Sequence, residues 1–384
     1  MRILIQHISR SDAGGGFLNV AALVKTIIKD NPDDQFLFVC LESSLFYPMS
    51  GCDNVEFIRL KPAPSLELQR FHLLLRGLPR IVQQWRPDVI WSFNLGSYVH
   101  TGVPQVVGII NAFQVYPQSI ARHHPRGAFH TAFMRWFSRR TLRVSDAAIV
   151  ETNLMADYVR RVPGAPTRIL VAPKAVGPPE AAPSRGLPAE LAKLFDAEPG
   201  KGAFSFVYMA NCVSHKNHKT IIMAAEALRS SPFRFRLALT STEKGLVAAG
   251  GATAEGLIRD GYILPLGFVA IDDLHAVYDA CDGCVMPSLL ESQSSSHLEA
   301  MQWGKPQICA DLPYAHDLCG EAAIYAEALN PADWAAKMRT LMEDRDLRER
   351  LVAAGLARMK SFPESWQEVA QRVHNFLAEV ADKK

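Results

Sequence analysis

The chain has 384 residues, 48% of them hydrophobic and 21% charged, with a formal net charge of +2. This is the mixture of a soluble globular protein; it excludes a disordered tail, a collagen-like chain and a coiled-coil rod, and the length favours two domains over one or three. The opening apolar run is too short for a secretory leader and no stretch approaches the roughly 18 uninterrupted apolar residues of a membrane span, so the sequence reads as cytoplasmic.

Short apolar runs alternate with helical periodicity through the first half. Strands are expected at 3–8, 36–40, 55–60, 88–93, 104–110 and 146–150, and helices at 17–28, 68–85 and 130–143. From Phe17 to Ile28 apolar residues recur at 17, 20, 21, 24, 27 and 28, the helical period. Pro79 is expected to interrupt the 68–85 helix. Strand followed by helix, repeated, argues for a parallel sheet covered on both faces. The loop Ser11-Asp-Ala-Gly-Gly-Gly16 joins the first strand and helix. It lacks the spacing of a dinucleotide fingerprint, and three glycines also suit a plain turn. The Pro-, Gly- and Ala-rich stretch 178–202 reads as a linker between domains at 1–177 and 203–364. In the second domain strands are expected at 204–210, 233–240, 263–268, 283–288 and 306–310, with helices at 219–228, 272–280, 295–303 and 332–343. A terminal segment, 365–384, holds an amphipathic helix from Trp366 to Val380 and is expected to cross back to the first domain. The fold class is α/β: two Rossmann-like doubly wound domains facing a cleft, with ligands at the carboxyl ends of strands where strand order reverses.

The near-neutral total hides a division. Residues 1–177 carry 20 Lys and Arg against 12 Asp and Glu, and within 59–143 the counts are 12 and 2. Such a surplus points to an anionic partner, either a membrane surface or a phosphorylated acceptor, or else to a solvated basic surface. The stretches 69–86 and 126–143 interleave Arg with Phe, Leu and Trp, which suits a membrane interface and also suits packing on the domain's own sheet. No nucleic-acid motif is present, so nucleic acid is not an expected partner. Seven cysteines are scattered through apolar surroundings, and the one close pair, Cys281 and Cys284, reads as core. No carboxylate or histidine cluster has metal-ligand spacing, so neither metal nor cofactor is expected.

The densest chemistry lies at 287–313. A buried strand ends at Pro287-Ser288, a polar loop follows, and a helix begins near Ser294 or Ser295. Ser294, Ser295 and Ser296 offer hydroxyls and free backbone N–H groups at the positive end of that helix, a place for an anion. Glu291 and Glu299 bracket it eight positions apart, and as acceptors they suit the hydroxyls of a sugar or ribose. Ser296-x-x-Glu299 also fits a capping box. A second cluster, 206–228, is a strand, a loop and a helix carrying Lys216 near its start. An ammonium there can neutralise a leaving diphosphate without a metal.

The segment 287–313 resembles the donor-site signature of retaining glycosyltransferases of family 4, which have the GT-B fold: Pro287, Ser288, Glu291, Glu299, Ala300, Gly304 and Pro306 match in register. Flanking sequence extends the likeness, strongly over 200–384 and weakly before it. The resemblance implies an enzyme that moves a hexose-type sugar from a nucleotide-diphosphate donor to a glycan or lipid-linked acceptor, with retention. Bacterial polysaccharide or lipopolysaccharide assembly is the implied setting, at the inner face of the membrane. By the same resemblance Glu299 would hold the ribose and Glu291 a donor-sugar hydroxyl. The backbone N–H groups of Gln293, Ser294 and Ser295 would face the sugar and diphosphate, with Ser296, Phe268 and Val269 as further contacts. Lys216 would stabilise the leaving charge, and Gly15 and Gly16 would belong to a loop closing over phosphate or acceptor. The chain departs from the pattern at several places. Ser292 and Ser294 replace glycines, and Gln293 takes an aromatic position. Asn211 stands where the family has an Arg, with His215, His218 or Lys219 as substitutes. Ile110 or Asn111 stands where it has a His, and Asn111 can both donate to and accept from a sugar hydroxyl. These departures leave an alternative open, a sugar-nucleotide-binding protein of the same fold with lost or altered transfer. A nicotinamide-dependent oxidoreductase would also have two doubly wound domains, but the glycine fingerprint is missing.

Overall fold

The structure is a computed structural model describing residues 1–7, 15–42, 51–61, 64, 69, 72–94, 96, 99–124, 127–176, 186–196 and 202–382, with backbone alone at 15–18. The chain divides into two compact units: Met1–Arg122, Arg126–Ala175 and Pro363–Lys384 in the first, His123–Pro125 and Val176–Phe362 in the second.

Unit 1 is built on seven parallel strands: β1 (Arg2–His7), β2 (Gln35–Leu41), β3 (Val55–Leu60), β4 (Val89–Phe93), β5 (Gln105–Ile109), β6 (Ala147–Val150) and β7 (Arg168–Val171). Their spatial order is β3-β2-β1-β4-β5-β6-β7. β1, β2, β4, β5 and β6 are buried nearly end to end, because helices cover both faces of a parallel sheet. The helices are α1 (Gly15–Asp30), α2 (Leu78–Trp85), α3 (Gln118–Ala121), α4 (Gly127–Val144) and α5 (Asn153–Arg160). Each strand expected here is present within one residue at either end, whereas β7 was not expected. Pro79 does not interrupt its helix. A π-turn, Leu73–Gly77, runs directly into α2, and Pro79 falls in the first turn of α2, so the wider hydrogen-bond pattern lies immediately before the proline.

Unit 2 has six parallel strands, β8 (Phe204–Tyr208), β9 (Phe235–Leu239), β10 (Ile263–Pro265), β11 (Gly283–Met286), β12 (Gln307–Ala310) and β13 (Ala323–Ala326), ordered β10-β9-β8-β11-β12-β13. Its helices are α6 (Ala189–Asp196), α7 (His218–Leu228), α8 (Glu243–Arg259), α9 (Leu274–Asp279), α10 (Ser295–Gln302), α11 (Pro313–Cys319), α12 (Pro331–Glu343) and α13 (Arg345–Met359). Helix α6 lies inside the stretch read as linker. Buried Arg236 on β9 holds its last turn, donating to the Phe195 carbonyl; 177–185 and 197–201 lie outside the described residues. Helix α8 was also unexpected. Its sequence is glycine-rich and it kinks at Gly251 (φ 60, ψ −145), a conformation open to glycine.

The last helix, α14 (Trp366–Ala381), belongs to unit 1. Ser365 caps it, accepting from the Glu368 N–H at 3.2 Å. Val369, Ala370, Val373, Leu377 and Val380 form its buried stripe and join Ile3, Ile5, Val24 and Ile27 in one core. At its rim His374 Nε2 meets Asp34 Oδ2 at 2.6 Å, and Arg372 donates to the Val171 carbonyl at 3.0 Å. Among the described residues no helix is long and apolar enough to cross a membrane.

Candidate active site

Sequence order along each sheet reverses once, between β1 and β4 in unit 1 and between β8 and β11 in unit 2. At such a point the loops leaving the two strands turn to opposite faces and open a crevice at their carboxyl ends. In unit 2 the loops after β8 and β11 carry Lys216 and Glu291.

Lys216 is not on the helix, as the sequence suggested. It closes a 3-10 turn, Ser214–Lys216, and Asn217 follows in the left-handed region (φ 55, ψ 35) before α7 begins. Asparagine tolerates that region better than most side chains. Here its amide also clasps two other segments, donating to the carbonyls of Pro287 at 3.1 Å and Ala328 at 2.8 Å, while its Oδ1 accepts from Thr220 at 2.8 Å. The Leu289 N–H donates to the His215 carbonyl at 2.7 Å, so the two loops are stitched together. Lys216 Nζ then reaches Glu291 Oε1 in an ion pair whose side chains are only 20% and 13% exposed. Beneath the pair, the Tyr208 hydroxyl donates to the Lys216 carbonyl at 3.1 Å and lies 2.7 Å from Ser288 Oγ. Tyr314 donates to the Ser288 carbonyl at 2.7 Å.

Burial alone would push the Glu291 carboxyl up. The Lys216 ammonium, its hydrogen bond and the Ser288 hydroxyl outweigh burial and bring the carboxyl down to about 2. Burial, helped by the Lys216 charge, lowers His218 and His297 to about 4, and it lowers His215 as well. Near neutral pH, His218 therefore does not supply the positive charge sought in place of an Arg at Asn211. Asn211 and Lys219 are both exposed.

On α10 the N-cap is Ser294 (φ −74, ψ 121), whose hydroxyl makes no capping bond. The capping box read for Ser296 and Glu299 is therefore not formed. Ser296 Oγ instead donates to the Met209 carbonyl at 2.8 Å, tying α10 to the loop after β8, and Glu299 Oε2 accepts from Tyr278 at 3.0 Å. Gln293 is buried at 1% exposure, and Ser295 and Glu299 are half-buried. Phe268 stands 90% exposed after Gly267, with Val269 half-buried beside it.

In unit 1, Asn111 follows β5 and is exposed. Its N–H donates to Asn94 Oδ1 at 3.2 Å, and the Ile110 N–H donates to the same oxygen at 3.0 Å. Asn94, with φ 61, sits directly after β4 at the reversal point, and sequence reading missed it. An asparagine immediately following a strand was the available signal. Gly15 and Gly16 open α1, while residues 8–14 of that loop lie outside the described residues.

Sequence spacing also missed a buried group. His297 on α10, Cys309 on β12 and Cys319 at the end of α11 bring their ligand atoms within 4.8 Å of one another, close enough to hold a metal ion. Burial raises the Cys309 thiol well above its ordinary value. Cys281 and Cys284 are buried free thiols, whereas Cys52 is exposed and Cys212 half-buried, although the sequence put all seven cysteines in apolar surroundings.

Two doubly wound sheets, each with one reversal, match the architecture of solved structures of the GT-B class. Anabaena HepE in complex with UDP matches 99% of this chain and 100% of its own at a TM-score of 0.71 and 16% identity. Sucrose-phosphate synthase of Thermosynechococcus elongatus matches 100% of both chains at a TM-score of 0.69 and 15% identity. At such identities the likeness is one of fold. In sequence, residues 203–344 match the glycosyl transferases group 1 family and residues 35–175 the glycosyl transferase 4-like domain. The chain belongs to these GT-B glycosyltransferases. Over 117 residues, 30% of each chain, it is 32% identical to O-antigen chain mannosyltransferase B of Escherichia coli. Over 112 residues it is 31% identical to D-inositol 3-phosphate glycosyltransferase of Corynebacterium jeikeium, covering 28% of this chain and 26% of that one. The chain thus matches less than a third of the length of these curated relatives.

Proposed function

We propose that this glycosyltransferase moves a hexose-type sugar, with retention, from a nucleotide-diphosphate donor to a glycan or lipid-linked acceptor in bacterial polysaccharide or lipopolysaccharide assembly. The observation that carries the reading is the Lys216–Glu291 pair at the β8/β11 reversal, beside the start of α10. A donor diphosphate would take the Lys216 ammonium and the free N–H groups of α10, releasing Glu291 to accept from a hydroxyl of the donor sugar. Glu299, oriented by Tyr278, would accept from the ribose. In the transfer itself the bond from the anomeric carbon to the phosphate oxygen breaks. The acceptor oxygen bonds to the same face, and its proton passes to the departing phosphate. The HepE complexes with UDP and UDP-glucose support a nucleotide-sugar donor, and the O-antigen mannosyltransferase supports a polysaccharide setting.

Thermal-shift screening against UDP, GDP, dTDP and ADP tests the donor site, since a ligand at one hundred times its Kd adds about 2.7 kcal/mol to native stability. One nucleotide should raise the Tm well above the others, and its sugar conjugate should be hydrolysed or transferred. No shift with any nucleotide would overturn the reading. Binding without turnover would select a sugar-nucleotide-binding protein instead, the alternative favoured by exposed Asn211 in the place of a cation.

A further inference from the structure

Helix α4 has a face that the core does not use. Its buried residues include Met134, Phe137, Ser138, Thr141 and Leu142, yet Phe129, Phe133 and Trp136 are 88%, 38% and 61% exposed. These three are spaced i, i+4 and i+7, and Arg140 at i+11 continues the same stripe. Arg139 and Arg143 flank it, and α4 contains no Asp or Glu. Among the described residues no carboxylate forms an ion pair with Arg139, Arg140 or Arg143, although Arg143 Nε donates to the Pro163 carbonyl at 3.0 Å. The three arginines, with Gln118 and Trp136, line a surface hollow of about 370 Å³. Arg135, at its base, turns inward and donates to the carbonyls of Phe113 and Tyr116.

From this arrangement we propose that the exposed face of α4 docks on an anionic lipid bilayer, the aromatic half entering the interface and the arginine half lying at the phosphate level. An amphipathic helix lying in a membrane surface has this composition: Phe and Trp reach roughly 5–10 Å into the headgroup boundary, and arginines meet anionic headgroups beside them. A soluble phosphate would account for the arginine hollow but not for Phe129, eleven positions before Arg140 and so about 16 Å along the helix. The 12-to-2 excess of basic residues across 59–143 favours a negatively charged surface over an apolar protein partner. This proposal does not rest on the donor-site reading, and its test uses no nucleotide.

The full chain should co-sediment with vesicles of phosphatidylcholine mixed with phosphatidylglycerol, bind phosphatidylcholine alone weakly, and dissociate at high ionic strength. Arg139→Glu with Arg140→Glu should weaken vesicle binding at least ~10-fold, since each cation near the bilayer contributes about a fivefold factor. Phe129→Ser with Trp136→Ser should weaken it by a similar factor, with the wild-type Tm retained because these side chains are exposed. Equal binding to neutral and anionic vesicles, or binding to neither, would overturn the proposal. So would loss on arginine reversal alone with the aromatic variant unaffected and free pyrophosphate competing, which would mark a soluble polyanion site.

Discussion

The Lys216 and Glu291 side chains are largely buried against each other, so removing either one leaves a charge in a site shaped for a pair. Reading Lys216 as an exposed cleft residue would leave stability indifferent to it; its burial against Glu291 reverses that expectation. Lys216→Ala should lower the Tm measurably and, if the diphosphate meets this ammonium, reduce turnover by at least ~100-fold. Full activity in the variant would place that charge elsewhere, with exposed Lys219 the first candidate.

Two buried histidines beside the pair, and Glu291 itself, make stability fall on acidification in two stages. His218 and His297 sit at about 4 in the folded chain, below the ordinary 6.5, so between those values the unfolded chain binds more protons and stability drops as pH falls. Glu291 sits at about 2 against an ordinary 4.5, so its contribution is full above about 4.5 and is lost as pH falls toward 2. Tm measured against pH should show both declines, and Glu291→Gln should flatten the lower one. A profile unchanged by that substitution would remove the ionised pair from the account. Tyr278 is the third residue to examine. Tyr278→Phe keeps the ring against Trp303, 4.6 Å between centroids, but deletes the hydroxyl that orients Glu299. Nucleotide Kd should rise roughly 3–10-fold, the size of one hydrogen bond, and Glu299→Gln should raise it further. Unchanged affinity in both would take Glu299 away from the ribose.

At the scale of the element, α14 decides more than its position at the end of the chain suggests. Its stripe closes a core whose other side is β1 and α1, so Leu377, buried at 0% exposure, is as central as Ile3. Leu377→Ala should cost about 2–5 kcal/mol by urea denaturation, the range for a cavity that collapses incompletely. A loss below about 1 kcal/mol would mean that α14 can detach without opening that core. Helix α10 shows the complementary case. Its eight residues have no side-chain cap, and it is fixed by Ser296 to the loop after β8 rather than by its own sequence. A helix start left free of caps keeps backbone donors available to a ligand.

For the molecule as a whole, the sequence by itself determined the alternation of strand and helix, the parallel sheets and the positions of most strands. Buried parallel strands are apolar runs, and that signal is local. Glu291 and Glu299 were legible for the same reason, since one loop and one helix start carry them both. The edge strands β7 and β13 were not read from the sequence, and the glycines of α8 masked its periodicity. What only the tertiary structure decided is which of these residues meet. Lys216 pairs with a glutamate 75 residues away, Asn217 clasps a carbonyl 111 residues away, and His374 reaches Asp34 across 340. Such contacts leave no periodic trace in a sequence, because they arise only when the packed sheets and helices bring segments distant in the chain side by side; the Lys216–Glu291 pair does so where strand order reverses.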